Sequence, residues 1–290
     1  MSIDRSHSTF EKYRFTEQKV AAYISKEHKK SDVVLSVVNK LWMEQFYLFL
    51  RKEEQNQHNT AVKYVKNLKH ILTYGVELGW LENNPAQGFK CSFKLTEQTI
   101  LGPDELERIE QKQFDIPRLE RARKLFLLQC YTGLSYTDLQ QLQPDNFEEG
   151  PDGKIWLNMR RQKTDSAVRF PVLIKATNLF RELIELDNTI VKNNDRKLLK
   201  SLPIQKMNSY LKEIADMCGI TKRLSTHVGR RTMASTVLLG NGVPISTISK
   251  VLGHQNVETT KIYAKVSDRM LSVELSDLEK KLKPNQIVEG

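Results

Sequence analysis

The chain has 290 residues, 39% hydrophobic and 28% charged, and its 45 Lys and Arg outnumber its 35 Asp and Glu to give a net charge of +10. This balance excludes a disordered chain, no apolar run reaches the ~20 residues that cross a bilayer, and no basic-then-apolar leader opens the sequence. The positive charge is spread over both the first 95 residues and the remainder, so the expected partner is a polyanion, nucleic acid before a membrane surface.

The first stretch reads as a small helical bundle. Ser8-Thr9-Phe10-Glu11 has the form of a capping box and opens a helix to about residue 27, with Phe10, Tyr13, Val20 and Tyr23 on its apolar side. Residues 41–50 continue at helical spacing, with Trp42, Phe46, Phe49 and Leu50 on one face. Asn59-Thr60 predicts the cap of a third helix ending near Gly79, and Asn84-Pro85 a stop. On that helix Lys63, Lys66, Asn67 and His70 recur every three to four residues beside Thr60. Such a row is either a solvated face or a contact to a DNA backbone. Residues 86–100 lose the helical period and carry Lys90 and Lys94, the signature of a basic linker.

Beyond the linker, Pro103 stands where the first residue of a helix should, followed by Asp104 and Glu105 at the positive end of its dipole. An apolar helix over 125–131 ends at Thr132-Gly133-Leu134. The one convincing β-signal is a hairpin, 153–159 and 167–172 around the turn "RRQKTDS", with Lys163 near its tip. From Thr177 onward the pattern is helical, with breaks at Pro203, Gly219, Gly242-Val243-Pro244 and Gly253. The last of these opens "GHQNVETTKIY", where a second helix is expected to reach Tyr263.

Cys91, Cys130 and Cys218 lie far apart with no CxxC, which points to reduced thiols and away from a disulfide framework or zinc site. No GxxxxGK[ST], GxGxxG or HExxH occurs, so neither a nucleotide nor a metal cofactor is expected. What remains suits a phosphodiester. In "STHVGRRTMAST", Thr226 can cap a helix that sets His227 and Arg230 at i and i+3 in its first turn. Backbone amides there favour an anion, an arginine fork binds phosphate bidentately, and an imidazole can exchange a proton nearby. Alone, the pair reads first as a surface arginine beside a capping histidine.

Taken together, "YTGLSYTDLQQL" at 131–142, the hairpin lysine in "RRQKTDSAVRFPV", "HVGRRT" at 227–232, "LGH" at 252–254 and Tyr263 nine residues after that histidine follow the order and approximate spacing of one family. The chain resembles the tyrosine recombinases, the phage-integrase family of site-specific DNA recombinases, over nearly its whole length. The Gly-Leu-Ser-Tyr-x-Asp turn is most similar to integrases of Bacteroides-type mobile elements. The resemblance implies a mainly α fold of the α+β class: a helical-bundle core-binding domain (1–88), a basic linker (89–100) and a mixed α catalytic domain with a small antiparallel sheet (101–290).

It also implies roles. Tyr263 would attack the scissile phosphate to form a 3′-phosphotyrosyl link, and Arg230 would stabilise the transition-state charge. His227 would assist proton transfer, Lys163 would protonate the leaving 5′ oxygen, His254 would hydrogen-bond a phosphate oxygen, and Asp138 would support the site. Thr60, Lys63, Lys66, Lys90 and Lys94 would contact DNA. No metal or ATP would be needed. The implied partners are double-stranded DNA, further copies of the chain in a synaptic tetramer and accessory DNA-bending proteins, in the cytoplasm at the nucleoid.

One residue departs from the family: Ser135 stands where an arginine is usual. Arg123 on the preceding helix is the expected substitute by resemblance, with Arg121 and Lys124 as rivals. If no cation replaces the arginine, the chain is a silent DNA-binding relative, an accessory or regulatory protein. A relaxing type IB topoisomerase would use related chemistry, but the core-binding domain and "LGH" favour a recombinase. Residues 267–282 are expected to form a last helix, through Leu271, Leu275, Leu278 and Leu282, docked on its own domain or on a neighbour.

Overall fold

The computed structural model describes residues 7–94, 96–190, 199, 202–263 and 275, and divides the chain into two compact units, 1–97 and 98–290. The expected last helix therefore lies outside the described residues except for Leu275.

The first unit is built from α1 (His7–Tyr23), α2 (Lys40–Lys52) and α3 (His58–Glu77). α1 already includes Ser8, and it runs on through a π-turn (Ile24–His28) that Lys29 ends in the left-handed region at φ 54°. Tyr23 from α1, Trp42, Phe46 and Leu50 from α2, and Val65, Leu68 and Leu72 from α3 form the core, with the Tyr23 and Trp42 rings edge to face at 4.8 Å. Each such side chain contributes roughly 1.5–3 kcal/mol by leaving water.

α3 begins one residue before the expected cap, with Gln57 as N-cap. Asn59 cannot cap it because its amide is bonded elsewhere: Nδ2 donates to the Lys94 carbonyl (2.9 Å) and Oδ1 accepts from the Lys94 N–H (2.8 Å). Phe89 joins the core, and Ser92 accepts from His58 Nε2 at 2.9 Å. Residues 89–94, expected as linker, thus fasten onto α3. Asn67 is corrected too. It is buried, and its Nδ2 donates to Thr16 Oγ1 at 2.9 Å, so it ties α3 to α1 and lies inside the bundle instead of on the exposed row.

The second unit centres on α5 (Pro117–Thr132), which packs against α4 (Pro103–Gln111), α7 (Ile174–Ile190), α8 (Ile204–Met217) and α9 (Thr226–Thr232). Pro103 is the first residue of α4 as expected, and the Glu105 carboxylate accepts from the Gly102 N–H at 2.7 Å. Gly133 ends α5 at φ 66°, where an added Cβ would come within 2.9 Å of Leu252. A short α6 (Tyr136–Leu139) follows.

The expected hairpin is present as β2 (Ile155–Arg160) and β3 (Ala167–Pro171), antiparallel with Arg160 opposite Ala167. A strand that the sequence hid, β1 (Phe147–Glu149), pairs antiparallel with β2 to give the order β1-β2-β3. Three residues with two glutamates leave no alternation to read. α10 (Ile245–Leu252) packs on β3 and ends at Gly253 with φ 63°. After it come two 3-10 turns, Val257–Thr259 and Lys261–Tyr263, in place of the single helix expected there. No helix among the described residues is long and apolar enough to cross a membrane.

Candidate active site

The site forms where α9, the C-terminal end of α10, the turn after α5 and the β2–β3 turn meet. Ser225, and not Thr226, is the N-cap of α9; Thr226 is buried in its first turn, its N–H donating to Asn208 Oδ1 at 3.0 Å. His227 and Arg230 follow on one face, as the i, i+3 spacing requires.

The Arg230 guanidinium is fixed from three sides. It donates to the Gly133 carbonyl (2.5 Å), to the Leu252 carbonyl (2.6 Å) and to His254 Nε2 (3.2 Å). Because Arg230 can only donate, Nε2 must accept, so His254 carries its proton on Nδ1 and donates it to Thr260 Oγ1 at 2.8 Å. Burial, then the charges of Arg230 and Arg161, push the His254 pKa down to about 4. Both ring nitrogens are thus engaged. In this arrangement the imidazole holds Arg230 in place. His227 is exposed, and burial of part of its ring, with Arg231, Arg230 and Lys163 nearby, lowers its pKa. A neutral imidazole can accept a proton at pH 7.

Tyr263 ends the second 3-10 turn, half-buried against the Ala234, Leu239, Ile248 and Leu252 cluster and close to Arg230. Lys163 is exposed on the β2–β3 turn and close enough to influence His227.

Arg123 does not reach this group. It is buried with its guanidinium on the Glu120 carboxylate (Nε–Oε2 2.9 Å, Nη2–Oε1 2.5 Å) and on the carbonyls of Ile109 and Glu110, both at 3.1 Å. It ties α5 to the end of α4 and is structural. Lys124 is paired with Glu182 at 2.7 Å, and Arg121 lies near Tyr136.

A second guanidinium near Arg230 belongs to Arg161, which the sequence analysis did not single out. Its side chain is 4% exposed; Nη1 donates to Asp138 Oδ2 at 2.8 Å and Nη2 to the Val251 carbonyl at 3.1 Å, while its buried Nε–H has no protein partner. Its charge reaches both Arg230 and His254. Successive carbonyls at the negative end of α10, Val251 and Leu252, therefore anchor the two guanidinium groups. A strand-period signal did exist: Leu157 and Met159 face inward, so Arg161 should too, with Arg160 outside.

Ser135 fills the usual arginine position as the N-cap of α6, donating to Asp138 Oδ2 at 2.7 Å and accepting from the Asp138 N–H at 3.2 Å. Asp138 also accepts from the Gln162 N–H at 3.0 Å. Burial alone would raise its pKa, but the bonds from Ser135, Arg161 and Gln162 hold it below the usual carboxylate range. Asp138 thus links the serine, the second arginine and the lysine turn. In the first unit Thr60, Lys63, Lys66, Lys90 and Lys94 are all exposed, and the Lys66 ammonium sits 4.2 Å over the Phe93 ring. Among the described residues no cluster of three His, Cys, Asp or Glu side chains could hold a metal ion.

Residues 100–270, more than half of the chain, match the model described as "Phage integrase family", and residues 1–94 match the phage integrase SAM-like domain. The chain belongs to the phage integrase family. A tyrosine recombinase of Pseudothermotoga lettingae is 23% identical over 266 residues, covering 88% of this chain and 90% of the relative. Among solved structures, a XerH site-specific recombinase bound to palindromic difH superposes with a TM-score of 0.72 at 16% identity, over 93% of this chain and 79% of that one. The Tn1549 transposon integrase with transposon right-end DNA gives 0.70 at 14%, over 96% of each chain. The activity is accordingly that of a tyrosine recombinase, and the function site-specific DNA recombination.

Proposed function

We propose that this chain cuts and rejoins duplex DNA strands to integrate or excise a mobile element of the Bacteroides type, working in the cytoplasm at the nucleoid. The observation that carries the reading is the pair of guanidinium groups, Arg161 and Arg230, held side by side on the end of α10 next to Tyr263. A missing turn arginine was the one feature that favoured a silent DNA-binding relative, and the placement of Arg161 supports the active reading instead.

The Tyr263 oxygen forms a bond to the scissile phosphorus as the bond from phosphorus to the 5′ oxygen breaks, leaving a 3′-phosphotyrosyl link. A phenol of pKa about 10 is a weak nucleophile at neutral pH, so its proton must be taken as the bond forms. His227, its pKa lowered by burial and then by the charges of Arg231, Arg230 and Lys163, accepts it. The Lys163 ammonium gives a proton to the departing 5′ oxygen. The transition state carries more negative charge than the diester, and Arg161 and Arg230 are preorganised for the difference. The second transesterification runs the same steps backward with a new 5′ hydroxyl. Thr60, Lys63, Lys66, Lys90 and Lys94 contact the DNA backbone, four copies assemble on two sites, and accessory DNA-bending proteins aid the assembly.

The test is covalent trapping with excess EDTA, on a nicked duplex carrying a site selected from a random-sequence pool by binding to the protein. An SDS-resistant adduct is expected with the wild type and none with Tyr263→Phe, which still binds. An adduct that persists in Tyr263→Phe, or none from the wild type, would overturn the reading.

A further inference from the structure

We infer that Ser166 is a positioning residue for the proton donor Lys163, clamping the β2–β3 turn to the end of α10; the inference rests on the proton-transfer role proposed above for Lys163. A lysine ammonium rides on a flexible four-carbon stem, so where it can act depends on how its backbone is held. The turn from 161 to 166 is held at several points. The Arg161 N–H donates to the Ser166 carbonyl (2.9 Å) and the Asp165 N–H to the Arg161 carbonyl (2.8 Å), closing the turn on itself. The Gln162 N–H donates to Asp138 Oδ1, just before Lys163.

Just after Lys163, the connection runs through side chains. Ser166 Oγ–H donates to the Gly253 carbonyl at 2.9 Å. With its hydrogen committed there, Ser166 Oγ accepts from the Thr164 hydroxyl at 2.8 Å. Both neighbours of Lys163 are thereby tied to the active site, Gln162 to the carboxylate that holds Arg161, and Thr164 through Ser166 to the residue before His254. The carbonyls of Val251, Leu252 and Gly253 then receive Arg161, Arg230 and Ser166 in sequence. One helix end sets the positions of both arginines and, by way of Ser166, of the lysine turn.

Losing the clamp should let the turn drift, and a misplacement of about 1 Å can cost up to on the order of a hundredfold in rate. The assay is single-turnover cleavage of the selected nicked duplex with the full chain, comparing an ordinary 5′ oxygen leaving group with a 5′-bridging sulfur. A thiolate leaves without being protonated, so a defect in proton donation vanishes on the sulfur substrate. Ser166→Ala is expected to be about tenfold slow on oxygen and near wild type on sulfur, and Ser166→Thr, which keeps the hydroxyl, to be near wild type on both. Lys163→Ala is run beside it and should be slow on oxygen only. If Lys163→Ala is rescued by sulfur while Ser166→Ala is either not slow on oxygen or equally slow on both, the role of Ser166 is overturned and that of Lys163 stands. If Lys163→Ala is slow on both substrates, the proposed proton donor is wrong and the inference about Ser166 falls with it.

Discussion

Removing the Arg161 guanidinium is the most exacting test of how this site works without a turn arginine. Arg161 has two tasks, one electrostatic toward the transferring phosphate and one structural toward Asp138, whose side chain is 4% exposed. Loss of one preorganised donor at a developing oxyanion typically costs about 3–4 kcal/mol, or on the order of a hundred- to a thousandfold in rate. Stranding a buried carboxylate costs a further ~3–5 kcal/mol in stability. The experiment therefore uses Asp138→Asn as the reference, which keeps an amide oxygen for the Gln162 N–H but itself leaves the buried Arg161 charge unpaired, and adds Arg161→Ala to it so that stability is lost before the guanidinium is removed. Cleavage of the nicked duplex by the double variant should fall on the order of a hundredfold below that of Asp138→Asn, at equal DNA affinity and similar melting temperature. Ser135→Arg in the double variant should restore part of the rate by returning a guanidinium from the turn. Arg123→Ala should instead lower stability, because it removes the main partner of Glu120 and the donor to the Ile109 and Glu110 carbonyls, and slow cleavage only in proportion to unfolding. A double variant that cleaves within about threefold of its reference would refute the assignment of Arg161 as second cation.

Two further outcomes follow from the same corner. Gly253→Ala forces φ 63° on an L-residue and sets its Cβ 2.5 Å from Val168 Cγ2 and 3.1 Å from Arg161 Nε. It should cost about 2–3 kcal/mol in denaturant unfolding and slow cleavage as well, and a variant as stable as wild type would mean the turn relaxes freely. His254 has a folded-state pKa of about 4, depressed from 6.5 by burial and by Arg230 and Arg161. The unfolded chain therefore binds the extra proton first, so this contribution to stability is whole above pH 6.5 and is lost as the pH falls toward 4. Histidine ring resonances followed by NMR in the DNA-free protein should show His254 titrating near 4, and a midpoint near 6.5 would show that its Nε2 is not held by Arg230.

The catalytic motifs were legible because they are local. His227 and Arg230 share a helical turn, Gly253 and His254 end a helix, and Tyr263 follows at fixed spacing, so a linear pattern carries them and the fold brings them together. The helical first unit, the hairpin and the start of α4 were equally plain from apolar period, turn residues and Pro103. Asn59, expected as a cap, and Asn67, expected on a polar row, were misread for one reason: their amides are bonded to Lys94 and Thr16, residues distant in sequence.

The choice of second cation could be made only in three dimensions. Arg121, Arg123 and Lys124 crowd one helix, and a helical period does not say which of them meets Glu120, Glu182 or the phosphate. Arg161 looked like one of several charges in a polar turn. Its role comes from burial beside Asp138 and from the bare carbonyl of Val251 at a helix end ninety residues away, partners that no local pattern encodes. Sequence sets which chemical groups are present and their local spacing; packing decides which charges are stripped of water, and so which of them can act.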